Sequence, residues 1–166
     1  MGMGISADIF REAMSRFPGV VTLVTTREGE ERRGITATAV CSVTAEPPSL
    51  LVCLNQRTGT CASVGRSGHF NVNLLGQEAG DLALRFAGAG GVTGEEKFAT
   101  GDWRLDDHGM PYLADALLSL SCDVTERIEA GSHIVYIGAI REARFGQGDP
   151  LLYERSAFRA LAPVAD

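Results

Sequence analysis

Apolar residues first recur at helical spacing and then, over most of the chain, at every second position. From Ser6 to Phe17 the residues Ile9, Phe10, Ala13, Met14 and Phe17 form one stripe, Ser6 is placed to cap it, and Asp8 suits its positive end. Pro18 and Gly19 end that helix. Val20 to Thr26 (VVTLVTT) predicts a β-branched strand, and the charged segment REGEERR an exposed hairpin turn. Next comes Gly34 to Leu54 (GITATAVCSVTAEPPSLLVCL), which predicts two strands joined by a tight turn at Pro47 and Pro48. Alternation in the first sets Ile35, Ala37, Ala39, Cys41 and Val43 on one side and Thr36, Thr38, Val40, Ser42 and Thr44 on the other. Short hydroxyl side chains beside alanine leave backbone N–H groups open to close approach, which suits a phosphate or the edge of a heterocycle. A half-exposed antiparallel strand with a threonine-rich solvent face has the same pattern.

Ser49 to Leu54 is a continuous apolar run, as in a strand buried on both faces. The polar loop Asn55 to Thr60 (NQRTGT) follows it and precedes a short helical stretch around Ala62 to Arg66, a common position for ligand-binding loops. His69 to Leu75 alternates again, and Glu78 to Phe86 has helical spacing through Leu82, Ala83 and Phe86. Ala87 to Gly94 (AGAGGVTG) is almost free of large side chains and predicts a hinge or lid. Ala116 to Arg127 and His133 to Phe145 are long alternating strands separated by the turn IEAGS, after which GQGDP leads into Leu151 to Tyr153. Strand follows strand with little helix between. The expected fold is therefore mainly β (α+β), an antiparallel sheet closed into a small barrel with covering helices, in a single domain over residues 1–166.

Charge and composition narrow the partners. Among 166 residues, 21 acidic against 15 basic give a formal net charge of -6, and the basic residues are scattered, which argues against a nucleic-acid or anionic-membrane surface. No signal-peptide pattern opens the chain and no apolar run approaches the ~20 residues of a membrane span, so the expectation is a cytoplasmic protein. Cys41, Cys53, Cys61 and Cys122 lack metal-type spacing and are expected to remain thiols, three of them packed in apolar strands. His69, His108 and His133 are too dispersed in sequence to suggest a metal site, so none is expected. There is no G-x-S-x-G elbow, H-E-x-x-H helix or P-loop, and GAGGVTG lacks the spacing and βαβ setting of a dinucleotide fingerprint. Small-molecule chemistry carried by a cofactor is consistent with that inventory.

The segments FREAMSRF and VVTLVTT, GITATAVCSVTAEPPSLLVCL, FNVNLL, RFAG, EEKF, AGSHIVYIGAI and PLLY, in that order, resemble the short-chain flavin reductases. These are the reductase components of two-component flavin monooxygenases, such as the 4-hydroxyphenylacetate and phenol hydroxylase systems. The resemblance covers nearly the whole chain and implies a flavin-binding split β-barrel, usually a homodimer, that reduces FAD or FMN with NADH or NADPH. Reduced flavin then diffuses to a separate oxygenase. On the family's pattern Thr36, Ala37, Thr38, Ala39 and Ser42, with the loop residues Asn55, Gln56, Arg57, Thr58 and Thr60, hold the flavin. The family often has Asn at the position of Thr38 and Asp at that of Ser132.

Taken alone, His133 is a turn-edge histidine of the kind that is usually just solvated. The resemblance implies instead that it lies beside the nicotinamide, orienting that ring or supplying a proton near the flavin. Arg57 suits a flavin phosphate through its planar fork, and equally the solvation of its loop; Thr58 and Thr60 beside it favour the phosphate. The resemblance also implies that Tyr153 borders the nicotinamide, with Phe98 and Phe158 as pocket walls. The other functions compatible with such a pocket are a flavoprotein that reduces a corrin or ferric complex and a non-catalytic flavin-binding protein.

Overall fold

In the computed structural model, which describes residues 4–165, seven strands form one antiparallel sheet. They are β2 (Thr22–Glu28), β3 (Glu31–Ala37), β4 (Val40–Ala45), β5 (Pro48–Asn55), β6 (His69–Leu74), β9 (Leu118–Ala130) and β10 (His133–Phe145), in the order β3-β2-β6-β9-β10-β5-β4. Short strands β1 (Gly19–Val20), β11 (Leu152–Glu154) and β12 (Ala157–Arg159) make a second sheet, and β7 (Trp103–Leu105) pairs with β8 (Pro111–Leu113). The helices are α1 (Ala7–Ser15), α2 (Gly59–Ser67) and α3 (Gly80–Phe86), with 3-10 turns at Ala89–Gly91 and Gly94–Ala99.

Alternation along β2 sends successive side chains into two cores. Val24 packs with Val52, Leu54, Phe70 and Tyr136 beneath α2, whereas Val21 and Leu23 pack with Leu75, Phe86 and Phe98 beneath α3. Fully burying each such side chain contributes about 1.5–3 kcal/mol. Gly138 on β10 lets the first core close: a Cβ there would lie 2.6 Å from Phe70 Cζ and 2.9 Å from Cys122 Cβ. On β6 the opposite periodicity buries Asn71 and Asn73 completely. Asn73 donates to Leu23 O and Thr25 Oγ1 and accepts from Leu113 N and Ser119 Oγ, so one amide fastens β2, β8 and β9. Asn71 Nδ2 donates to Asp106 Oδ2, Met110 O and Pro111 O, holding the β7–β8 turn on the sheet.

Four expectations change. The segment Gly34 to Thr44 is not one strand: it breaks at Thr38–Ala39, where Val40 N bonds back to Thr38 O. Thr36 and Ser42 therefore do not share a face, and a register irregularity between Ser42 and Thr44 shifts the alternation again. The expected closed barrel also gives way. The two edges of the sheet, β3 and β4, are joined through the chain at this corner, whose Ala39 O accepts from Cys53 N of β5, and no ladder pairs β3 with β4 among the described residues. The turn IEAGS shrinks to Gly131–Ser132 because Ile128, Glu129 and Ala130 pair with β10, with Gly131 at φ +58°. Three cysteines, Cys41, Cys53 and Cys122, do lie in strands, but Cys41 is exposed, so packing holds only for Cys53 and Cys122 there; Cys61 is buried on α2. The AGAGGVTG stretch contains the Ala89–Gly91 turn, with Gly88, Gly90, Gly91 and Gly94 all at positive φ.

Candidate functional site

The loop after β5 is built by its own polar side chains. Asn55 Oδ1 accepts from Arg57 N, and Asn55 O accepts from both Thr58 N and Thr58 Oγ1. Thr58 then caps α2, its hydroxyl oxygen accepting from Cys61 N at 3.2 Å. Gln56 faces the β9–β10 turn: its N–H donates to Ser132 O, and its amide donates to Gly131 O at 2.9 Å and His133 O at 3.4 Å. His133, opposite Asn55 in the ladder, is thereby tied to the loop, with Nδ1 2.9 Å from Ser132 Oγ.

The α2 end of this loop opens on a cleft of about 240 Å³ lined by Arg33, Gly34, Ile35, Thr58, Gly59, Thr60, Thr93, Gly94 and Lys97. Three sources of positive potential converge there: the N-terminal end of α2, the Lys97 ammonium and the Arg33 guanidinium, the last partly compensated by its ion pair with exposed Glu31. Gly59 permits the approach of Arg33, since a Cβ would stand 3.1 Å from its Nη1. Lys97 Nζ donates to Gly34 O at 3.1 Å and Phe86 O at 2.8 Å, and a third N–H remains for a ligand. Burial lowers its pKa below the ordinary lysine value.

Two residues further along β3, a second cleft of about 260 Å³ is lined by Val21, Thr36, Ala37, Thr38, Ala83, Leu84, Ala87, Tyr153 and Phe158. Tyr153 stands edge-on to Phe158, ring centroids 5.7 Å apart. Thr36 Oγ1 donates to Ala83 O at 2.6 Å, so toward a ligand that hydroxyl is an acceptor only. The sequence-predicted residues thus divide. Thr36, Ala37, Thr38 and Tyr153 share this cleft; Thr58 and Thr60 share the cationic one; Asn55 and Gln56 bind the loop to the His133 turn. Ser42 lies apart, in an apolar groove with Val40, Leu50, Leu120 and Ile140, and Ala39 sits at the corner bonded to β5. Arg57 is exposed, lines none of these three clefts, and makes no ion pair among the described residues. The cations that line the cleft at the α2 end of this loop are Arg33 and Lys97. Sequence reading misses them because Lys97 lies in a 3-10 turn far along the chain from β3 and Arg33 looks like one more charge in a hairpin.

A further cavity, of about 660 Å³, holds none of the predicted residues. Its wall carries Glu78, Asp81, Asp115 and Asp149 against the single cation Arg85, which makes it a poor receptor for a phosphate.

Comparison with known proteins bears on this geometry. A family model described as a flavin reductase like domain matches residues 14–162. An FMN reductase (NADH) RutF 1 of Methylorubrum extorquens is 42% identical over 158 residues, covering 95% of this chain and 78% of that one. The reductase component of an FADH(2)-dependent resorcinol hydroxylase from a Rhizobium species is 41% identical, with 93% and 87% covered. The solved NADH:FAD oxidoreductase SgcE6 of Streptomyces globisporus superposes with a TM-score of 0.87 at 28% identity, over 100% of this chain and 95% of that one. With its sheet, its loop and nearly its full length accounted for by that family model, the chain belongs to the flavin reductase-like domain family.

Proposed function

We propose that this protein is an NADH-dependent flavin reductase that supplies reduced FMN or FAD to a separate monooxygenase. The observation that carries the proposal is the placing of two clefts along one strand. Arg33, Gly34 and Ile35 line the cationic cleft, and Thr36 and Ala37 line the small-residue cleft that follows it. A flavin phosphate needs charge-assisted donors at one end, and its ring needs a wall of short side chains at the other. Both are present. Relatives named as NADH-dependent FMN reductases and as a reductase component support the reading.

When bound, the flavin accepts a hydride from NADH and a proton, yielding reduced flavin and NAD+. The protein's task is to bind, orient and exclude water. Lys97, Arg33 and the first turn of α2 neutralise the phosphate charge. Ala37 and the short side chains of Thr36 and Thr38 allow close approach to the β3 backbone. Gln56 sets the His133 turn against the loop, and His133 orients the nicotinamide or delivers the proton. In this reading Ala39 stands at the rim of the ring site and Tyr153 borders the nicotinamide. Ser42 belongs to a neighbouring wall, and Arg57 screens phosphate charge from solvent.

The open sheet, with edges joined through the chain at Thr38–Ala39, is read as a split barrel that a second copy of the chain completes. The apolar stripe of α1 supports a homodimer, because Ile9, Phe10, Met14 and Phe17 are all exposed in the single chain. Light scattering is expected to give twice the chain mass; a fully active monomer would remove this part. The function itself is tested by NADH oxidation with FMN, FAD, a corrin or a ferric chelate as acceptor. Turnover that rises and saturates with free flavin is expected. Turnover that needs the corrin or ferric complex, or none with any acceptor, would refute it.

A further inference from the structure

Outside both clefts, three elements distant in sequence bring His69, His108 and Asp123 together, their candidate ligand atoms all within 4.8 Å of one another. His69 opens β6 and is the ladder partner of Asp123 on β9, so the sheet register sets one edge of the group. His108 comes from the β7–β8 turn, whose backbone is held from below. Asp106, buried, accepts from His108 N and Met110 N, both at 2.9 Å, and Asn71 bonds the same turn from β6. The position of His108 is therefore fixed by a network independent of its own imidazole.

The distances match metal coordination. His69 Nδ1 lies 2.8 Å from Asp123 Oδ1, His108 Nδ1 lies 3.2 Å from His69 Nδ1, and His108 Nδ1 lies 4.0 Å from Asp123 Oδ1. The circle through three points so spaced has a radius of about 2.0 Å, within reach of a zinc–nitrogen or zinc–carboxylate bond of about 2.0–2.2 Å; His108 Nδ1 and Asp123 Oδ1 stand nearly opposite each other across it, so a small inward rotation of the exposed His108 is what a tetrahedral shell needs. Hydrogen bonding alone explains the pair of imidazoles less well. His108 Nδ1 is 3.2 Å from His69 Nδ1 and 3.1 Å from His69 Nε2, with the rings near perpendicular, whereas a linear N–H···N bond would single out one nitrogen.

We propose that His69, His108 and Asp123 form a binding site for a zinc-class divalent cation, with water completing the shell. Two imidazoles and one carboxylate suit Zn2+, Ni2+ or Cu2+ and disfavour Mg2+ or Ca2+, which take oxygen ligands. The three side chains are about one-third exposed, which leaves room for entry and for water. The other charged groups at the site are Arg141 and Asp106. Arg141 Nε also donates to Asp123 Oδ1, at 2.7 Å, and its guanidinium lies 3.5 Å from Asp106 Oδ2. Two carboxylates against one guanidinium leave the site net negative, as a cation requires. The bound ion clasps the β7–β8 turn to β6 and β9, and takes the place of the hydrogen bond between His69 and Asp123.

The test is calorimetric titration of the chelator-treated full chain with Zn2+, together with Mg2+ as a second probe. Saturable uptake of one Zn2+ per chain is expected, with a rise in melting temperature and no competition from Mg2+. His108→Ala, a change in an exposed turn, and Asp123→Asn should each weaken Zn2+ binding by about 100-fold or more. His133→Ala and Cys41→Ser should bind as the wild type does. Circular dichroism checks that each variant is folded. Absence of saturable binding by the wild type, binding that survives His108→Ala, or binding lost in Cys41→Ser would overturn the site.

Discussion

Replacing Lys97 with Met removes the most enclosed positive charge of the cationic cleft and keeps most of the side-chain volume. Two effects follow, and they separate. In the free protein, Gly34 O and Phe86 O lose their ammonium donor. The cleft is open to solvent, so water recovers part of that loss and destabilisation should be about 1–3 kcal/mol. In the complex, one charge-assisted bond to the phosphate is lost, about 1.5–3 kcal/mol, which weakens FMN binding by about 10- to 100-fold. Riboflavin has no phosphate, so its affinity should not change. Fluorescence titration of both ligands into wild type and variant decides it, with a melting curve to confirm folding. The reasoning fails if FMN affinity is unchanged in a folded variant, or if riboflavin loses the same factor. The pH dependence adds a check with opposite signs. Burial lowers the Lys97 pKa from its ordinary 10.5, so between the folded value and 10.5 the unfolded chain holds more protons. Across that window this residue's contribution to stability rises with pH, while FMN affinity falls as the ammonium is lost.

Three further outcomes are expected. His133→Ala should leave flavin affinity intact and raise the Michaelis constant for NADH with little change in limiting rate; equal wild-type values for both would make it a solvated turn residue. Asn73→Leu strands Leu113 N in the core and leaves Ser119 Oγ with Leu113 O as its partner, and chemical denaturation should show a loss of about 1–3 kcal/mol, against no loss if the amide network is dispensable. Burial pushes the Cys122 thiol up to about 12, so an alkylating reagent at neutral pH should label exposed Cys41 first and Cys122 only on unfolding, as mass spectrometry of the peptides would show.

Strong period-two patterns made the strands legible: Thr22–Glu28, His69–Leu74 and the two long strands lie close to where alternation puts them. The Asn55–Thr60 loop was equally readable, as a polar segment following a buried run. The corner at Thr38–Ala39 was not, because ATAV continues the alternation without glycine or proline; it is visible only in the bonds Val40 N to Thr38 O and Cys53 N to Ala39 O. Lys97 escaped for another reason. Its role comes from carbonyls on β3 and α3, and nothing in EEKF shows that a 3-10 turn will pack there. Two of the three histidines dispersed in sequence, His69 and His108, come together with Asp123 because strand register and a hairpin turn supply a proximity that sequence spacing hides.

The most direct measurement mixes the FMN-loaded protein with NADH in a stopped-flow instrument under nitrogen and follows the visible flavin band. The account predicts bleaching at a rate that saturates with NADH, followed by transfer of reduced flavin to an added acceptor. An unbleached band with FMN still bound would contradict it.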